Sequence, residues 1–275
     1  MSIKLNVIYD VGLHKGEDTD FYLKKGYDVV AFEADPDLIA HRRGRFQCEI
    51  AQGRLLIIEG AITAEPANGP AIFYKNTDNT VWGTIRADWA QRNAALEAGS
   101  LKIEVPRVDI AEVFHRYGIP YYLKVDIEGV DLVVLETLLR FEGRPQYLSI
   151  ESEKVDFARL EVELRLLSDL GYKKFKPVQQ QLIPGSLIRT RNLSGDEFNY
   201  RFEMDASGPF GDDLLPPWLN YDECLREYKR IFRRYGMFGD SSFFARGKGL
   251  RLRDMLEKLY KRPLAGWYDT HAAFS

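Results

Sequence analysis

Residues 5–36 read LNVIYDVGLHKGEDTDFYLKKGYDVVAFEADP, and their alternation decides the fold. Residues 5–10 form a short apolar run that ends in an acid, the pattern of a buried strand. Residues 17–25 carry helical spacing and stop at Gly26, a residue suited to a helix C-terminus. Residues 28–33 (DVVAFE) form a second strand. Asp35-Pro36 then supplies an N-cap and a proline in the first helical position, opening a helix that runs to about Gln47.

The alternation continues outward. Residues 54–59 read as a third strand, and 71–75 and 101–108 as extended. Asp109 caps a helix ending at Gly118. A strand at 121–126 (YYLKVD), a helix at 130–140, a strand at 147–151 and a helix at 157–170 ending at Gly171 follow. Alternating strands and helices predict an α/β fold: a Rossmann-like, mostly parallel twisted sheet with helices on both faces. Ligands in such sheets bind at the C-terminal ends of the strands, so those residues and the loops after them are the candidates.

The last hundred residues change character. Residues 172–180 and 241–246 (SSFFAR) read as two further strands, 250–260 as a helix, and the rest as a tail. Residues 198–238 hold 10 aromatics in 41 positions, and that density argues against disorder. The predicted organisation is a single domain over 1–275. Its parts are a cofactor-binding core (1–175), an aromatic-rich cap or acceptor insertion (176–240), and a last strand with a C-terminal helix (241–275). The aromatics, with Trp82 opposite, would form an acceptor wall against sugar or planar rings.

Composition excludes several classes. Among 275 residues, 38 Lys and Arg face 41 Asp and Glu, a net charge of −3. No basic excess points to nucleic acid and no polybasic anchor to a membrane. The apolar runs are too short for a span, and MSIKLNVIYD leads straight into a strand rather than a signal peptide. Cys48 and Cys224 lack metal-type spacing and suit a reducing cytoplasm, where the sequon Asn192-Leu193-Ser194 has no use. Lys229, Arg230, Arg233 and Arg234 read as a solvated helix face. An oligomer is left open.

The loop after the first strand, Asp10-Val11-Gly12-Leu13-His14-Lys15-Gly16, has the pattern D-x-G-x-x-x-G. It lacks the three glycines of a dinucleotide cradle, and no P-loop is present. Glu33, 17 residues beyond Gly16, stands where an acid accepts from ribose hydroxyls. An acid at the strand end repels phosphate and accepts from an ammonium group. S-adenosylmethionine, with a ribose, a cationic tail and no phosphate, fits that set. A second constellation lies in YLKVDIEGVD (122–131), where Lys124, Asp126 and Glu128 alternate onto one face at a strand end.

Residues 121–139, YYLKVDIEGVDLVVLETLL, resemble the signature of the FkbM-type methyltransferases, roughly LKIDVEGxExxVLxG. The opening DVGLHKGEDTDFYLKKGYDVVAFEADP is similar to that family's first motif, RVDIAEVF (107–114) to its tLD segment, and RPQYLSIES (144–152) to the following strand. The resemblance covers about residues 7–175. It departs at His14-Lys15, at Val130-Asp131, and at Thr137-Leu138 in place of a glycine. It implies the Rossmann-like methyltransferase fold, S-adenosylmethionine as cofactor, and methylation of a hydroxyl oxygen on a sugar or natural product. Carried onto this chain, Asp10, Gly12 and Gly16 would shape the methionine side and Thr19 would bond the cofactor carboxylate. Glu33 would hold the ribose, with Ala34 and Asp35 close to adenine and Ala61 and Ile62 flanking it. Asp126 would lie near the methyl donor.

Removing a proton from a neutral hydroxyl calls for a base within hydrogen-bond reach. Asp126 is the first candidate, Glu151 the second and His14 the third, with Glu128 assigned to fixing the turn. Asp126, Glu128 and Glu151 are the oxygen ligands that Mg²⁺ would use, and no His pair has zinc spacing; no metal is expected. The alternatives are a dinucleotide oxidoreductase, disfavoured by the missing glycines, and a catalytically inactive methyltransferase-fold binding module. The expected partner is a small hydroxylated acceptor, with no nucleic acid and no membrane.

Overall fold

The computed structural model describes residues 3–64, 69–76, 83–85, 100–127, 129–239, 242–260 and 262–274. Trp82 and Glu128 lie outside the described residues. In chain order the first elements are β1 (Ile3–Val11), α1 (Glu17–Lys24), β2 (Asp28–Glu33), α2 (Pro36–Arg45) and α3 (Gln47–Ala51). β3 (Leu55–Glu59), β4 (Ala61–Ile62), β5 (Ala71–Asn76), β6 (Ser100–Val105) and β7 (Arg107–Val108) follow. Next come α4 (Ile110–Tyr117), β8 (Ile119–Val125), α5 (Asp131–Leu138), β9 (Tyr147–Glu151), α6 (Phe157–Asp169) and β10 (Lys174–Gln179). β11 (Leu187–Arg191), β12 (Glu197–Arg201), α7 (Tyr221–Phe238), α8 (Gly247–Tyr260) and β13 (Tyr268–Ala273) complete the chain.

Seven strands form one sheet in the order β10-β13-β9-β8-β1-β2-β3. β1 pairs in parallel with both β2 and β8, and β2 with β3, so the centre is parallel. β13 returns antiparallel to β10. The mostly parallel α/β sheet is the one the alternation predicts.

Cα packing divides the chain into two compact units: Met1–Leu148 with Arg189–Tyr200, and Ser149–Ile188 with Arg201–Ser275. In the first, the core lies along β1, where Tyr9 stacks on Phe114 with ring centroids 5.8 Å apart and donates its hydroxyl to the Gly118 carbonyl at 2.8 Å. Asp35 caps α2 by accepting from the Asp37 amide, and Asp109 caps α4 by accepting from that of Ala111, as their positions predict. β5 and β6 form an antiparallel hairpin over a small cluster of Ala61, Ala71, Phe73 and Val105. The turn between β11 and β12 docks on α1: the Leu193 amide donates to the Lys25 carbonyl, and Lys25 Nζ donates to Thr190 at 2.8 Å.

The second unit holds the elements that the sequence pattern misplaces. The strand expected at 241–246 is a 3₁₀ turn at Phe243–Ala245, and the last strand is β13, after the C-terminal helix rather than before it. The reason is physical. YDTHAA has no apolar run, yet all six residues are buried because β10 pairs along its length. The stretch read as aperiodic holds the 18-residue helix α7. Its capping box joins Asn220 and Glu223, and Cys224, Tyr228 and Ile231 recur on its buried face.

Candidate functional site

Parallel pairing brings four strand ends level. Asp10 stands opposite both Ala31 and Lys124, Val11 opposite Val125, and Glu33 opposite Glu59. The Asp126 amide donates to the Val11 carbonyl at 2.9 Å, holding the two loops together. Gly12 sits between them at φ 100°; a Cβ there would lie 2.0 Å from the Asp126 carbonyl oxygen. No other residue fits without moving one loop.

The loop from Gly12 to Gly16 is tied on both sides. The Gly12 and Leu13 amides donate to the Phe32 carbonyl, and the Lys15 carbonyl accepts from Arg42 and Arg45 at 2.8 Å each. His14 takes a left-handed φ of 47°, donates its amide to Glu33 and places Nδ1 3.4 Å from Glu17. Gly16, also left-handed, opens α1, whose first turn carries Glu17, Asp18 and Asp20 where the helix dipole favours negative charge.

Lys124 organises the site. It is 4% exposed, and its Nζ lies 3.2 Å from Asp18, 3.5 Å from Asp10 and 3.5 Å from Asp126, with the Gly12 carbonyl accepting at 3.3 Å. Asp10 is fully buried and also accepts from Thr19 at 2.6 Å. Burial pushes its pKa up to about 6, against the pull of Lys124. The Asp126 side chain is 40% exposed. Of the three carboxylates facing Lys124, it is the one open to an incoming molecule.

Glu33 is half-buried and accepts three backbone amides: Ala34 and Asp35 on one oxygen, His14 on the other, at 2.8–2.9 Å. Burial pushes its pKa up, and the three amides oppose that shift. A carboxylate has about four lone-pair sites, so it retains capacity for a hydroxyl donor. Asp131 fixes the turn after β8 by accepting from the Ile127 and Gly129 amides, and burial pushes it up to about 6. Glu128, to which the sequence assigns the same duty, lies outside the described residues. The sequence places Lys124 only on one face with Asp126 and Glu128. The equal register of Asp10 and Lys124 on adjacent strands is the signal that links Lys124 to the loop as well.

The other candidates take these places. Thr19 is buried, with its hydroxyl donating to Asp10. Ala34 packs on the small cluster that contains Ala61, and Ile62 beside it is buried. Asp35 is buried as the α2 cap and accepts from Lys75 at 2.9 Å. Asp10, Gly12, Gly16, His14, Glu33 and Asp126 are thus brought to one end of the first unit's strands. Glu151 ends β9, half-buried, in the second unit.

The donor set fits an adenosyl sulfonium ligand. An acid anchored by backbone amides suits a ribose, and three carboxylates around one ammonium suit a cation rather than a pyrophosphate. A seven-stranded, mostly parallel sheet whose first two strands end in acids belongs to the Rossmann-like methyltransferase class. The family model described as methyltransferase FkbM domain matches residues 10–174, three fifths of the chain. The chain belongs to the FkbM methyltransferase family, whose methyl donor is S-adenosylmethionine.

Solved structures are similar only distantly. The methyltransferase FkbM from Methylobacillus flagellatus KT is 13% identical at TM-score 0.41, over 65% of this chain and 41% of that one. Precorrin-6y C5,15-methyltransferase from Geobacter metallireducens GS-15 is 10% identical at TM-score 0.36, over 73% and 77%. The glycopeptide N-methyltransferase MtfA complexed with S-adenosyl-L-homocysteine is 9% identical at TM-score 0.33, over 100% and 83%. Family membership rests on the matched residues, not on these likenesses. No curated protein matches the chain. Among the described residues, no helix is long and apolar enough to cross a membrane.

Proposed function

We propose that this chain is an O-methyltransferase acting on a small hydroxylated acceptor, a sugar or a molecule like a natural product. The observation that carries it is the pairing of a buried Lys124 with the part-exposed carboxylate of Asp126. A hydroxyl nucleophile must lose a proton around the transition state, and an open carboxylate at a strand end can take it. S-adenosylmethionine would supply the methyl group, carried on its sulfonium sulfur. Glu33 holds the ribose hydroxyls, with His14 and the loop amides fixing Glu33 in turn. Asp10 and Thr19 shape the loop on the methionine side, and Ala34, Asp35, Ala61 and Ile62 border the adenine. Lys124 orients Asp126. As the acceptor oxygen bonds to the methyl carbon and the bond from sulfur breaks, the hydroxyl proton passes to Asp126. Glu151 is the second acid available and His14 the third. Positioning supplies much of the rate, since the step is an in-line displacement.

The test is a panel of hydroxylated small molecules, read by release of S-adenosylhomocysteine and by mapping the methylated atom. Transfer to oxygen is expected, and transfer to nitrogen or carbon overturns the proposal. With the acceptor found, Asp126→Asn keeps S-adenosylhomocysteine affinity within a few-fold and lowers turnover by about 10²–10⁴. Full activity in that variant removes Asp126 as the base. Glu33→Ala loses more than about tenfold in cofactor affinity, the loss of a charged hydrogen-bond acceptor. Tight cofactor binding without turnover on any acceptor favours the inactive binding module.

A further inference from the structure

The net charge of −3 hides a division. Residues 226–262 carry twelve Lys and Arg against four Asp and Glu, a net +8. The other 238 residues carry 26 against 37, a net −11. This basic segment runs from the middle of α7 through α8, within the second unit. The two helices touch: Arg253 donates to the Phe238 carbonyl at 3.1 Å.

The outer face of α8 is unusual for a solvated helix. Lys248, Arg251, Leu252, Met255, Lys258 and Leu259 recur at helical spacing and all are exposed. Leu252 is 41% exposed, Met255 58% and Leu259 71%. Phe243, in the turn just before the helix, is 73% exposed. A soluble helix places such residues inward, and only Gly249 of α8 is fully buried. Along α7 a second exposed stripe, Arg226, Lys229, Arg230 and Arg233, adds positive charge, with Arg230 sharing Glu227.

We infer that α8 and the turn before it dock this protein peripherally on an anionic lipid surface. Leu, Met and Phe side chains gain by leaving water for the acyl boundary. Lys and Arg stems lie along the apolar layer with their charges at the headgroups. The chemistry selects this occupant. Nucleic acid would use the cations and leave the aliphatic stripe in water. A second copy would set +8 against +8. The whole-chain charge led the sequence to predict no membrane partner, because it averages two regions of opposite sign. The absence of a spanning helix among the described residues accords with docking on a surface rather than crossing it. The inference does not depend on the acceptor or on catalysis.

The experiment is co-sedimentation of the full chain with phosphatidylcholine vesicles, with and without about 30 mol % phosphatidylglycerol, at low and high salt. Binding is expected only with the anionic lipid, and it weakens at high salt. Lys248→Gln, Arg251→Gln and Lys258→Gln each weaken partitioning about fivefold, the worth of one basic residue near such a surface. Met255→Asp and Leu259→Asp, both at exposed positions that leave the fold intact, weaken it by at least about tenfold. Thermal melting checks that each variant is folded. No partitioning into anionic vesicles overturns the inference, as does equal binding to neutral ones. Aspartate variants that bind as wild type also overturn it, as does a preference for single-stranded RNA or DNA over vesicles.

Discussion

The residues around the ends of two strands carry opposite chemistry. At β1 they are ions: Asp10 and Asp18 are buried, with the Lys124 ammonium between them. Just past β9, beyond Glu151, they are neutral hydroxyls. Ser152 Oγ lies 2.7 Å from the Tyr228 hydroxyl and 2.6 Å from Thr270 Oγ1, and the last two are 2.5 Å apart, all buried. Each hydroxyl both donates and accepts, so that ring satisfies itself without charge. The ionic cluster cannot: removing Lys124 leaves two buried carboxylates without their counter-charge. Buried ions seldom stabilise a fold more than apolar packing would. Their presence at β1 is what a site for a cationic ligand requires, whereas the ring at β9 only has to join α7 to β13.

The largest expected effect comes from the ionic end. Lys124→Met should cost about 3–5 kcal/mol in urea unfolding near pH 7, because Asp10 and Asp18 lose their counter-charge. Asp10→Asn in the same background should recover much of that, and the deficit should shrink as pH falls toward about 6, because without the pull of Lys124 the buried Asp10 carboxyl takes up its proton at a higher pH than in the wild type. A Lys124→Met protein as stable as wild type would erase the contrast between the two ends.

Gly12→Ala comes next. The left-handed φ and the contact with the Asp126 carbonyl should together cost about 2–4 kcal/mol, read as a lower melting temperature. An unchanged melt would mean that the β1 and β8 loops are not held together.

The second unit should respond to acid in the opposite sense to Asp10. Burial lowers the His271 pKa to about 3, and its Nε2 has no hydrogen-bond partner among the described residues. The unfolded chain takes up that proton near pH 6.5 and the folded one does not, so stability falls with pH below about 6.5. Replacing it by Phe removes this loss: wild type should weaken relative to His271→Phe by up to about 1.4 kcal/mol per pH unit between pH 6 and 4. Parallel curves would show that His271 is protonated in the fold.

The smallest effect belongs to the hydroxyl ring. Tyr228→Phe removes one member, and Ser152 and Thr270 still bond each other, so the cost should be about 1 kcal/mol. A loss as large as that of Lys124→Met would place an ion or a strained bond at β9 and reverse the comparison.

Most of the first unit was legible because its signals are local; most of β11 and of β12, in the same unit, lie where the sequence predicts an acceptor insertion. A parallel strand buried on both faces must be an apolar run, as residues 28–33 are, and caps such as Asp35 and Asp109 announce their helices. The second unit's signals are not local. β13 carries Asp269, Thr270 and His271 in its interior and is a strand because it pairs in the sheet between β10 and β9. On α7 the basic residues from Lys229 to Arg234 mark a helix face, but its start at the Asn220 cap and its buried face of Cys224, Tyr228 and Ile231 are fixed by the packing.

At the site the same line divides what could be read. Asp10, Gly12, Gly16, Glu33 and Asp126 stand in motifs, since a turn and a carboxylate at a strand end are properties of a few consecutive residues. The sequence by itself therefore determined the α/β class, the family and the acids that stand at the strand ends. Only the tertiary structure decided that Lys124 joins Asp10 and Asp18 as well as Asp126, that Asp131 holds the turn amides, and that Asp126 is the carboxylate left open. The pairings of Lys124 with Asp10 and Asp18 span about a hundred residues of chain. Register between adjacent strands sets them, and register follows from which faces the whole sheet buries.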